Sequence, residues 1–86
     1  MRLALALAAA VVATPVLAQP MCEELWAERN GVYAEAGYCF KTDRAIRAFG
    51  NGNCRFENAD ELPLSPADRK KVAEIQREER RRGCPR

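Results

Sequence analysis

Four cysteines, Cys22, Cys39, Cys54 and Cys84, are the residues of this 86-residue chain best suited to chemistry. Thiolates can attack, ligate a metal or oxidise to disulfides. A zinc site needs ligand pairs two to four residues apart, and no two of these cysteines are that close. The chain also has no His. Neither a metal nor a cofactor is therefore expected. An even cysteine count in a short exported chain reads as two disulfides, with three possible pairings. Other chemistry is scarce. The single Ser, Ser65, has a helix-capping duty, so nucleophiles for acyl transfer are missing. Paired carboxylates are the one catalytic route left, either Glu24 with Glu28 on one helical face or Glu35 near Tyr38, working as glycosidase acids. A short stapled chain has little room for the deep cleft that would tune such a pair. No enzymatic activity is expected, and glycan hydrolysis by carboxylates is the weakest of the readings kept.

The opening "MRLALALAAAVVATPVLA" carries one basic residue, an uncharged Leu/Ala/Val run and a small-residue site ending at Ala18. That is the pattern of a signal peptide, 1–18, cut after Ala18. Leu3 to Ala18 falls short of the roughly 20 apolar residues a membrane span needs, so no span is expected. The remaining 19–86 reads as one domain. A chain of that size buries only about 60% of its unfolded surface and needs staples, which the cysteines supply.

Charge is nearly balanced, with a formal net of +2. It is unevenly placed: 19–64 holds 5 basic and 8 acidic residues, and 65–86 holds 8 and 4. An acidic first part can dock on a basic last helix, while "REERRRGCPR" offers an alternative as an anion grip. Export and a near-neutral total argue against a nucleic-acid partner.

The elements that position these residues follow from periodicity and punctuation. Residues 22–36 put Cys22, Leu25, Trp26, Val32, Tyr33 and Ala36 close to one helical stripe, and Gly37 stops the helix. Arg29 shares that stripe, so it is expected to meet a carboxylate or carbonyls and tie segments together. Gly31 implies either a weak turn or a close backbone neighbour. A short helix fits 42–49, capped by Thr42 or Asp43 and ended by "GNGN". Residues 55–64 read as an irregular connector that pins Phe56, Leu62 and Leu64 to the core. The last helix has Ser65 as N-cap, Pro66 at its first position and Asp68 three residues after the cap, and it closes at Gly83 and Pro85. Its stripe is Ala67, Val72 and Ile75, with Lys70–Glu74, Glu74–Arg77 and Glu78–Arg82 at pairing distance along the helix. The fold class is mostly α: a small disulfide-stapled domain of about three helices with irregular connectors. If the first and last helices pack antiparallel, Cys22 meets Cys84, and Cys39 and Cys54 are left to pair across the short second helix.

The run "LWAERNGVYAEAGYCFKTDRAIRAFGNGNC", followed by "LS…EIQREERRRGCP", resembles the YARHG domain, a module of exported bacterial proteins, over Cys22 to Pro85. The resemblance implies a mostly helical domain outside the cytoplasm, with an association with the cell envelope. The family's Tyr-Ala-Arg-His-Gly motif is here Tyr33, Ala34, Glu35, Ala36 and Gly37, so the Arg and His are replaced. Any step that depends on that His is closed to this chain.

The expectation is a periplasmic or secreted binding module. Its candidate contact residues are Glu35, Tyr38, Lys41, Arg44 and Arg47, where a ring lies among cations suited to carboxylates or sugars. The partner would be a cell-envelope component, peptidoglycan or an envelope protein. The alternative is a purely structural accessory domain.

Overall fold

The computed structural model describes residues 13–85, with side chains from residue 21 onward. Among the described residues there are three α-helices, α1 (Ala13–Glu35), α2 (Asp43–Phe49) and α3 (Pro66–Arg81), with a 3-10 turn at Ala59–Glu61 before α3. Among the described residues there is no strand, only one parallel bridge between Tyr38 and Phe56. The described part of α1 runs from Ala13, so the helix includes the nine residues before Cys22, where the stripe places its start. The expected signal peptide, 1–18, falls largely outside the described residues. Among those described, no helix is long and apolar enough to cross a membrane.

The ends of α1 and α3 share one device. At α1, the Tyr38 N–H donates to the Tyr33 carbonyl and the Gly37 N–H to the Ala34 carbonyl, with Gly37 at φ 98°. At α3, the Cys84 N–H donates to the Glu79 carbonyl and the Gly83 N–H to the Arg80 carbonyl, with Gly83 at φ 69°. Both are Schellman caps, which need a left-handed residue that glycine adopts without steric penalty. The cap on α3 leaves Cys84 at a fixed point beyond the helix end.

α1 and α3 run antiparallel, since Cys22 bonds Cys84 while Arg29 meets Glu79 further along α1. The second disulfide joins Cys39 to Cys54. The pairing is thus the one that helix topology predicts. Between the bridges lies a thin core of Cys39, Phe40, Ala45, Leu62, Val72 and Ile75. Val72 and Ile75 are buried on α3 as expected, but Ala67 is exposed and Glu79 takes the next buried place on the stripe.

Candidate functional site

Arg29 is the first candidate that the fold absorbs. Its Nε donates to Glu79 Oε1 at 2.9 Å and its Nη2 to Glu79 Oε2 at 3.1 Å, a bidentate pair with side chains 18% and 12% exposed. The sense of this pair opposes the acidic-on-basic docking read from charge, whereas Glu28 with Lys71 at 3.5 Å obeys it. Within α3, Glu78 accepts from Arg82 Nε at 2.6 Å and also bonds Arg81.

The loop 37–56 is held by backbone-like pairing. The Cys39 N–H donates to the Phe56 carbonyl at 2.8 Å, and the Arg55 and Phe56 N–H groups both donate to the Gly37 carbonyl. Asn51 adds a clamp: its Oδ1 accepts from the Phe40 N–H at 2.8 Å and its Nδ2 donates to the Phe40 carbonyl at 3.0 Å. Both polar groups of a buried residue are thereby satisfied by one side-chain amide. This pairing fixes Phe40 within a line of rings. Trp26 lies 5.9 Å from Phe49, Phe49 5.3 Å from Phe40, Phe40 5.0 Å from Tyr38, and Tyr38 5.8 Å from Tyr33. Five of the chain's six aromatic residues are joined this way.

The five candidate contact residues are engaged in different ways. Tyr38 packs edge-on between Tyr33 and Phe40. Lys41 stands 5.5 Å from the Tyr38 ring centre and donates to the Glu57 carbonyl at 2.8 Å and its carboxylate at 3.1 Å. Arg44 is at the other end of the ring line, with its guanidinium carbon 3.7 Å from the Trp26 ring centre and its Nη2 donating to Glu23 Oε1 at 2.8 Å. Glu35 and Arg47 are exposed, and no ion pair among the described residues takes up either.

Two concavities flank the Cys22–Cys84 bridge. One, of about 280 Å³, is lined by Arg29, Gln76, Glu79, Arg80, Cys84 and Pro85; Arg29 and Glu79 are spent on each other there, and Arg80 stands beside them without an aromatic ring among the described residues to seat it. The other, of about 470 Å³, is lined by Cys22, Glu23, Trp26, Arg44, Arg82 and Pro85. It gathers two guanidinium groups, one carboxylate and an indole, supplied by the start of the stapled part of α1, by α2 and by the residues just past α3. The sequence reading included Arg44, and Arg82 within the basic run 77–86, but missed Trp26 and Glu23 as site residues, because nothing in local spacing shows that three separate segments converge there. Among the described residues, no group of three or more Cys, Asp or Glu is placed to hold a metal ion.

One family model matches the chain, that of the YARHG domain, over residues 1–80. The match therefore takes in residues 1–18 and stops short of Cys84, a different span from the Cys22 to Pro85 of the motif resemblance. No curated protein and no solved structure matches. With most of its length matched and its three helices and two disulfides in place, the chain belongs to the YARHG domain family.

Proposed function

We propose that this protein is an exported, non-catalytic interaction module that binds a component of the bacterial cell envelope. The observation that carries the reading is Arg44, a cation whose guanidinium carbon lies 3.7 Å from the Trp26 ring centre in the lining of a concavity beside a disulfide. A guanidinium held this way keeps its charge and fork geometry while giving up little freedom on binding. Two disulfides fit an oxidising compartment outside the cytoplasm. The non-catalytic part of the proposal is supported by how potential nucleophiles and acids are employed. All four cysteines are oxidised, the Ser65 hydroxyl accepts from the Asp68 N–H as an N-cap, and Glu28 pairs with Lys71.

A second reading, a structural accessory domain, is favoured by the intramolecular duties of Tyr38, Lys41 and Arg44. Capture experiments separate the two. Oxidised protein is incubated with purified peptidoglycan and with solubilised envelope proteins, alongside the Tyr38→Ala, Arg44→Ala and Arg47→Ala variants. The module reading expects at least one variant to lose capture while it remains folded. If all three lower thermal stability at most and leave capture unchanged, the structural reading replaces it.

A further inference from the structure

We infer that the concavity between Arg44 and Arg82 is an oxyanion-binding site, in which the Glu23 carboxylate occupies the Arg44 fork until a ligand carboxylate or phosphate displaces it. This deepens the interaction-module reading and rests on it. The charged side chains lining the concavity are Glu23, Arg44 and Arg82, two positive and one negative. Arg44 covers the Trp26 ring at 3.7 Å, so that face of the indole is closed to a sugar ring and the guanidinium is the group a ligand meets. Arg44 keeps 49% of its side chain exposed and Glu23 71%, and so open an ion pair is weak and easily exchanged. An incoming oxyanion bound by both Arg44 and Arg82 exchanges one single-point contact for two charge-assisted ones.

Arg82 is prepared for the second contact. Its Nε is held by Glu78 at 2.6 Å, which steadies the side chain through one nitrogen and leaves its two terminal nitrogens out of that bond. The Cys22–Cys84 bridge holds the Arg82 segment against the start of the stapled part of α1, since it ties the residue before Glu23 to the residue two after Arg82, and Glu23 in turn bonds Arg44. The backbone positions that carry the site are therefore tied together in the oxidised protein before any ligand arrives.

The test is a titration of the oxidised protein, followed by NMR at constant ionic strength set with sodium chloride, with sodium phosphate and sodium acetate as separate probes. The expected result is a saturable shift of the Trp26 indole N–H and the Arg44 Nε–H. The affinity falls about tenfold in Arg82→Ala, the loss of one charge-assisted hydrogen bond, and rises about threefold in Glu23→Gln, which removes the internal competitor. Because removing Arg44 also uncovers Trp26, the Arg82 and Glu23 variants carry the test; a gain of affinity in Glu23→Gln cannot come from unfolding. Phosphate binding the more tightly assigns phosphoryl groups as the source, and acetate binding the more tightly assigns carboxylates. Shifts no larger than those chloride produces, or no gain in Glu23→Gln, overturn the inference. If the shifts are absent while envelope capture still depends on Arg47, the oxyanion site alone falls. If both shifts and capture are absent, the module reading falls with it.

Discussion

Single residues show where stability is concentrated. The Arg29–Glu79 pair is nearly buried and bidentate, so removing one partner strands a charge between α1 and α3. Arg29→Ala or Glu79→Ala is expected to lower unfolding free energy by about 2–3 kcal/mol. The double replacement Arg29→Leu with Glu79→Leu is expected to recover most of that loss, and a double-mutant cycle in denaturant measures the difference. Two glycines give opposite expectations. Gly37 sits at φ 98°, and a Cβ there would come within 3.4 Å of the Arg55 and Phe56 side chains, so Gly37→Ala is expected to destabilise by about 1–2 kcal/mol. Gly31 lies inside α1 with nothing within 4 Å of an added Cβ, so Gly31→Ala is expected to stabilise by about 0.5–1 kcal/mol. Thermal melts of the two variants, moving in opposite directions, check this. The sequence makes Arg29's need for a partner readable, because a charge on an apolar stripe must be satisfied. It does not say which carboxylate answers, since Glu79 lies 50 positions away. It also does not decide between the two explanations of Gly31, and the structure contains no close backbone neighbour to account for that residue.

At the scale of elements, the caps carried most of the legible information. Ser65, Pro66 and Asp68 announce the start of α3, and Gly37 and Gly83 announce two helix ends, because each answers a local backbone requirement. The disulfide pairing was legible for the same reason: once the helices are placed, antiparallel packing brings Cys22 to Cys84. The Asn51 clamp on Phe40 and the buried Asn30, whose Nδ2 donates to the Trp26 carbonyl, were not legible. Polar residues in "GNGN" or mid-helix read as turn formers or surface, and only tertiary contact gives them a partner. The two bridges should differ in effect. Replacing Cys39 and Cys54 with Ala opens a loop of 15 residues, and replacing Cys22 and Cys84 opens one of 62, with expected losses of about 3 and about 4 kcal/mol. Hydrogen exchange locates them. Without Cys22–Cys84, amides in the last turn of α3 should exchange faster while those of Cys39 and Phe40 keep their protection. Equal loss of protection in both regions would show that the two ends of the molecule unfold as one unit.

Across the whole molecule, the ring line from Trp26 to Tyr33 separates the cations that the sequence had grouped. Lys41 is tied down near Tyr38, and Arg44 is presented at the Trp26 end beside the terminal disulfide. Proximity along the chain made Tyr38, Lys41, Arg44 and Arg47 look like one surface; Lys41 is instead engaged by Tyr38 and Glu57, and Arg44 by Trp26 and Glu23. The concavity that results takes its residues from both ends of the described chain, which explains why no local pattern reveals it. Its presentation depends on the Cys22–Cys84 bridge, so reduction is expected to weaken binding there as well as stability. The most direct measurement is capture of peptidoglycan and envelope proteins by the oxidised protein, compared with a folded Arg44→Ala/Arg82→Ala double variant at matched ionic strength. Capture by the native protein that the double variant loses is the predicted result. Equal capture by the two proteins would contradict the account.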